Sequence, residues 1–271
     1  MPTLPPVPAE LHQARQMAES FGSDPERYDR SRPRYPDAMV QRIVAASPGR
    51  DVLDVGCGTG IAARQFQSAG CRVLGVEPDA RMADFARQRG LEVEIATFEA
   101  WDPVGRAFDA VIAAQSWHWV DPAAGAAKAA AVLRPKGRLA VFRNDAEPSP
   151  PELAGAFAAA ARGVLPESLA ARLHATRPEE GSTDLSTKAS AGMRQLDVFG
   201  DPEQWQFAWE RSYTRDQWLD QLPTHGFYTR LPLDKLQRLL AETGDAITAA
   251  GGSFTMRYLT TVVTAARADG A

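Results

Sequence analysis

Cysteine is scarce: Cys57 and Cys71 are all the chain contains. Two cysteines make neither a disulfide framework nor a zinc-ligand pattern. His12, His118, His174 and His225 are scattered and suggest no metal site. Positive charge is not in excess either. A formal net charge of −4 at neutral pH provides no basic field for a phosphate backbone and counts against nucleic acid as a partner. No apolar run approaches the roughly 20 residues needed to cross a bilayer, so no membrane span is expected. The stretch from Met1 to Pro6 has neither a basic start nor an apolar core, so no secretory signal is expected and the cytoplasm is the expected compartment. What remains is an ordinary globular composition, 44% hydrophobic and 24% charged, in 271 residues. That length suffices for a full α/β core.

After a proline-rich start, Leu11, Ala14, Ala18 and Phe21 recur at helical spacing. A proline-studded leader runs from Tyr28 to Pro36, and Pro36 suits the first turn of a helix reaching about Ala46. From Asp51 a regular alternation begins. Short apolar runs at 52–55, 73–76, 93–95, 108–112 and 138–142 predict strands, and 61–69, 79–89 and 122–133 predict helices. Strand and helix in turn imply a doubly wound, mostly parallel, Rossmann-like α/β sheet. The alternation stops near Asn144. Residues 146–200 read as an inserted helical cap, with the polar segment 177–191 as a mobile loop. Two β-rich runs, 205–213 and 254–265, flank helical candidates at 215–222 and 232–244. They predict a closing antiparallel pair at the sheet edge, making seven strands. The expected organisation is a leader or lid at 1–50, a cofactor-binding core at 51–145, a cap on the substrate side at 146–204, and closing strands and helices at 205–271.

The strongest local signal is Val52-Leu53-Asp54-Val55-Gly56-Cys57-Gly58-Thr59-Gly60, a strand entering a glycine-rich turn and then a helix. Glycines there let the backbone take positive φ and approach a ligand closely. The spacing is G-x-G-x-G, without the two-residue gap of the dinucleotide fingerprint. A ligand without pyrophosphate does not need that gap. Glu77 closes the second strand, about 20 residues beyond the turn, where an acid accepts both ribose hydroxyls and repels a 2′-phosphate.

With these residues in place, 51–143 resembles the class I S-adenosylmethionine methyltransferases, in particular the type-11 small-molecule group. The resemblance rests on the glycine turn, Gly75-Val76-Glu77-Pro78-Asp79, Phe108-Asp109-Ala110-Val111 and Leu133-Arg134-Pro135-Lys136-Gly137. The leader 28–36 and Gln115-Ser116-Trp117-His118-Trp119 also resemble trans-aconitate-methyltransferase-like proteins. The resemblance implies a cofactor, S-adenosyl-L-methionine, with S-adenosyl-L-homocysteine as product. It implies that Asp54 meets the methionine amino group and that the backbone of Gly56, Cys57, Gly58 and Gly60 packs the homocysteine arm. Glu77 would hold the ribose, with Pro78 and Met82 on adenine. Thr97 stands where the family usually has an acid, so the Phe98 backbone is the expected adenine contact, and Gln115 would border the methionine arm.

Methyl transfer from a sulfonium demands alignment more than acid–base help, because the cofactor supplies a good leaving group. Tyr28 and Tyr35 are candidates to fold over the cofactor. Arg32 and Arg34 are candidates to pair with a carboxylate of cofactor or substrate. His118, after the fourth strand, sits where a general base would act on an acceptor, or where a pocket wall would stand. His118 and Tyr28 are therefore the candidate catalytic residues. Alternatives are a cyclase or pseudoenzyme binding the same cofactor, a tRNA methyltransferase, and an NAD-dependent oxidoreductase. The expected partner is a small-molecule methyl acceptor; the sequence leaves its identity and the oligomeric state open.

Overall fold

The structure is a computed structural model and describes residues 20–165, 178–226 and 228–269, with side chains of the helix beginning at Pro178 described from Ser186 onward. The helix expected before Phe21 lies almost wholly outside the described residues. The leader forms α1, Pro25–Ser31, which Asp24 caps by accepting from the Arg27 amide at 2.9 Å. The segment Arg32 to Pro36 is extended, as prolines demand of their predecessors, and Pro36 itself is the N-cap of α2, Asp37–Ala45.

Then comes the alternation: β1 Asp51–Val55, α3 Ile61–Ser68, β2 Arg72–Val76, α4 Ala80–Gln88, β3 Glu92–Glu94, β4 Phe108–Ala114, α5 Pro122–Val132 and β5 Leu133–Ala146. The sheet has seven strands in the order β3-β2-β1-β4-β5-β7-β6, closed by β6, Glu203–Thr214, and β7, Ser253–Ala266. Contacts among β1 to β5 are parallel, whereas β7 runs antiparallel to both β5 and β6. Successive strands go one way from β1 to β3 and the other way from β4 onward. The switch point therefore falls between β1 and β4, and a crevice opens beyond their carboxyl ends.

Alternating side chains feed two cores. On one face Val52, Ile112, Ala140 and Phe142 pack under Met39, Ile43, Phe66 and Ala83 from α2, α3 and α4. On the other, Leu53, Val111, Leu139 and Val141 pack under Ala129 and Val132 of α5. Phe66 is fully buried, and its truncation to alanine would cost about 3–5 kcal/mol.

Between β5 and β6 lie α6, Pro151–Val164, and α7, Pro178–Arg194. The polar stretch expected to be a loop at 177–191 is therefore mostly helix. Its Ala189 and Met193 reach the core that α5 covers. After β6, a capping box of Thr214 and Gln217 starts α8, Arg215–Gln221; a 3-10 turn at Leu222–Thr224 and α9, Leu233–Ala249, lead into β7. A third core joins Leu153 of α6, Trp218 of α8 and Ile247 of α9 to Tyr213, Phe254 and Tyr258 of the antiparallel strands. Among the described residues no helix is long and apolar enough to cross a membrane.

Candidate active site

The crevice at the switch point is a cavity of about 510 Å³. Its floor is the turn after β1, and one wall is the end of β2 with the start of α4. The opposite wall comes from 96–99 and 114–120, and Phe21, Tyr28 and Arg32 of the leader overhang it.

The turn has a specific reason for each of two glycines. Gly56, at φ +64°, donates to the Val76 carbonyl at 2.8 Å, and a Cβ there would stand 2.6 Å from the Ser116 Cβ. Gly58, at φ +56°, would meet nothing within 4 Å, because its α-carbon faces the cavity. Its amide donates to Glu77 Oε2 at 2.8 Å, while the Asp79 amide donates to Oε1 at 2.9 Å. Glu77 is 8% exposed. Burial pushes its carboxyl up to about 6 against the pull of the two amides. Each oxygen retains a lone pair for a ligand hydroxyl.

Asp54, next to last in β1, lies beneath this turn and is fully buried, with neither carboxylate oxygen in a hydrogen bond. Burial first, then the charge of Glu77, raises its pKa to about 8; the nearby α3 amide of Ala63 pulls the other way. A buried acid without a partner is a costly group, and a cationic ligand is what would make it favourable.

Pro78 and Met82 line the β2 side, and Thr97 and Phe98 the other. Phe98 is itself buried, stacked 6.4 Å from Trp101 and tilted 6.3 Å from Trp117. Gln115 follows β4 in a left-handed conformation, φ +58°, with its amide on the Phe142 carbonyl at 2.9 Å and its side chain on the Asn144 carbonyl at 3.3 Å. A non-glycine residue held at positive φ beside a cavity is strain of the kind found at functional sites. His118 lies in the 3-10 turn Trp117–Trp119, half-buried, with its ring 4.7 Å from that of Trp119. Burial, then the positive charge of Arg143, lowers its pKa to about 4. The imidazole is neutral at physiological pH.

Two further members of the expected glycine-turn set stand off the cavity wall. Cys57 points into the core, where its sulfur would lie 2.5 Å from a Cβ on Gly75, and Gly60 is the N-cap of α3. Tyr35 does not fold over the cavity. It is buried edge-on against Phe142 at 4.8 Å, a core residue. Arg34 is exposed, and its carbonyl accepts from Asn144. Phe21, Asp79, Glu99 and Ser116 also line the cavity. Asp79, Glu99 and Ser116 directly follow the expected lining residues Pro78, Phe98 and Gln115, whereas Phe21 is brought in by packing, between Tyr28 at 6.1 Å and Trp119 at 6.5 Å.

A family described as a methyltransferase domain matches residues 52–137. An uncharacterized methyltransferase of Mycobacterium tuberculosis is 38% identical over 133 residues, 48% of this chain and 54% of that protein. The chain thus spans about half the length of the mycobacterial relatives it matches. The malonyl-acyl-carrier-protein O-methyltransferase of Enterobacter lignolyticus is 31% identical over 212 residues, covering 73% of this chain and 82% of that one. A solved structure described as a type II methyltransferase, from Anaeromyxobacter dehalogenans, is similar with a TM-score of 0.59 at 25% identity, over 88% of this chain and 97% of that one. With this relatedness, the strand order and the glycine turn, the chain belongs to the class I S-adenosylmethionine-dependent methyltransferases.

Proposed function

We propose that this cavity binds S-adenosylmethionine and that the protein transfers its methyl group to a nucleophilic atom of a small-molecule acceptor. The observation that carries the reading is the pair of buried carboxylates, Asp54 and Glu77, beside a glycine turn that leaves room where a Cβ of Gly58 would be. The residues present suit the cofactor. Glu77 offers free lone pairs for a ribose diol, Asp54 negative charge for an ammonium group, and Pro78, Met82 and Phe98 apolar surface for a ring. Tyr28, Arg32 and Gln115 border the far end, where the methionine arm and the acceptor meet. Among the described residues Arg32 is the lone lysine or arginine lining the cavity, a poor match for a dinucleotide pyrophosphate.

When bound, S-adenosylmethionine supplies a methyl group activated by its sulfonium. The chain's part is to hold the reactants in line and to exclude water, which supplies several kcal/mol of the barrier. Phe21, Tyr28 and Trp119 form the roof that excludes it. The acidic balance favours a small acceptor over RNA, and two free, buried cysteines suit the cytoplasm. The test is calorimetry with S-adenosylhomocysteine, followed by incubation with methyl-labelled cofactor and a metabolite extract. Binding with a labelled small product is expected. Binding without any labelled product would favour the pseudoenzyme alternative, and no binding would remove the reading.

A further inference from the structure

Tyr28 and Arg32 overhang the cavity from the leader, whereas Gly58 lines its floor. One side chain joins the two. Arg64, on α3, donates from Nη1 to the Thr59 carbonyl at 2.6 Å and from Nη2 to Asp29 Oδ1 at 2.5 Å. Thr59 follows Gly58 in the turn, and Asp29 follows Tyr28 in α1. The same guanidinium therefore holds a carbonyl of the glycine turn and a carboxylate of the leader.

The local sequence suits this reach. Gly60 takes φ +84°, and a Cβ on it would lie 3.3 Å from Arg64 Nη1. A bare glycine thus leaves the path of the guanidinium open while permitting the positive φ. A planar fork lets two nitrogens meet acceptors in two different elements, which a lysine point charge does not. The tie also differs from the leader's other attachments. Arg64 and Asp29 are 25% and 10% exposed, whereas Arg30 and Asp220 are 49% and 27% exposed. A charge-assisted bond shielded from water is the stronger of the two, and the exposed pair is of the kind that contributes little. The Ser31 carbonyl accepts from Arg211 at 3.2 Å, but that bond ties the leader to β6 and not to the glycine turn.

We propose that Arg64 is a positioning residue for methyl transfer: it couples the glycine turn to the leader, so that a ligand ordered on Gly58 also settles Tyr28 and Arg32 over the cavity. The inference rests on the cofactor reading of that cavity. A ligand that fixes the Gly58–Thr59 backbone fixes the Thr59 carbonyl, hence the guanidinium, hence Asp29 one residue from Tyr28. Fixing either end lowers the entropy that ordering the other costs, and linkage makes the effect reciprocal. Arg64 itself is not among the described residues that line the cavity, so it acts through its partners.

The test is amide exchange with and without S-adenosylhomocysteine, read separately at the turn (56–60) and the leader (25–36), alongside calorimetry. In wild type the ligand is expected to slow exchange in both segments. In Arg64→Met and in Asp29→Ala it should still slow the turn but no longer the leader, and affinity should fall about fivefold or more. The double variant should bind no worse than the weaker single variant, because both changes remove the same link. Asp220→Ala is the control and should keep the ligand-induced slowing in the leader. A tie that only stabilises the fold would lower urea stability in Arg64→Met and Asp29→Ala yet leave that slowing in place, which would overturn the proposal. Additive losses of affinity in the double variant would overturn it too. Should Arg64→Met not fold, Asp29→Ala reads the same link from the leader's side. Binding to wild type that slows the turn and not the leader would overturn this inference alone, whereas failure of S-adenosylhomocysteine to bind wild type would overturn the cofactor reading along with it.

Discussion

The amide of Gly58 donates to the carboxylate of Glu77 at 2.8 Å, so one acid both pins the glycine turn and faces the cavity. Turn and proposed ribose site are thereby coupled across the β1–β2 pair. Glu77→Ala is expected to weaken S-adenosylhomocysteine binding by about 1–3 kcal/mol, since charge-assisted bonds to hydroxyls are lost. The carboxylate must be ionised to accept them, and its pKa stands near 6. Affinity should therefore fall as pH drops below about 6 and level off above about 7 as far as Glu77 is concerned. Calorimetry across that range, compared with Glu77→Gln, checks both statements. A flat profile with wild-type affinity in the mutant would remove Glu77 from the site.

The two glycines of the turn should fail in different ways. Gly58→Ala puts a Cβ into open cavity at φ +56°, a strain of about 1–2 kcal/mol, with the larger loss in ligand affinity. Gly56→Ala puts a Cβ 2.6 Å from the Ser116 Cβ, so overpacking adds about 1–3 kcal/mol to its own positive-φ strain. Urea unfolding and ligand titration on both variants separate them. The opposite ranking in stability would contradict the geometry.

Much of this was legible in the sequence because the signals were local. Apolar runs such as Val73-Leu74-Gly75-Val76 predicted strands the structure confirms, and Glu77 follows β2 directly. The start of β5 was missed: pairing of Leu133 with Phe108 is interrupted by a register shift, and Lys136 takes φ +62° before regular pairing resumes at Arg138. Helix α7 was missed because its polar stretch shows no period, and Ala189 and Met193 alone do not make one. The raised pKa of Asp54 was invisible, since it depends first on its burial under the folded turn and then on the charge of Glu77. Tyr35 was placed over the cofactor by its neighbours in the chain, yet tertiary packing carried it to Phe142.

Asp54 should lower stability in exchange for binding. Its folded pKa, about 8, lies above the ordinary value of 3.8. The folded state therefore binds more protons between these values, so stability falls as pH rises from about 4 and levels off once pH has passed about 8. Asp54→Asn removes that titration. The ligand-free variant is expected to gain stability over wild type progressively from about pH 4 to about pH 8 and to hold that gain above it, while losing S-adenosylhomocysteine affinity. Thermal unfolding of both proteins across the range is the measurement; a constant difference would mean that Asp54 does not titrate there.

The leader should be held locally rather than globally. Arg30 grips Asp220 through two hydrogen bonds of 2.7 Å, but the pair is largely solvent-exposed. Such pairs contribute about 0–1 kcal/mol. Asp220→Ala should leave global stability nearly unchanged and speed amide exchange across 21–36. Bound S-adenosylhomocysteine should slow it in wild type. Exchange unaffected by ligand would make the leader a bystander of the cavity.

His118 is the residue whose role the geometry narrows most. A base takes up a proton readily only if its conjugate acid is not too strong, and efficiency peaks when the pKa lies near working pH. Burial and the charge of Arg143 hold His118 near 4, well below that. Its ring also packs at a tilt against Trp119, as a wall residue does. A wall contributes binding that is alike in ground and transition states, so its loss raises KM and spares kcat. His118→Gln is therefore expected to keep kcat within about tenfold while KM rises, and the wild-type pH–rate profile should show no limb near pH 6–7 that the mutation abolishes. An acceptor whose reacting atom is already anionic needs no base. The decisive experiment is the profile of both proteins with the identified acceptor: a limb near pH 6–7 that disappears in the mutant, with kcat falling about 10²-fold or more, would make His118 the base and refute the wall.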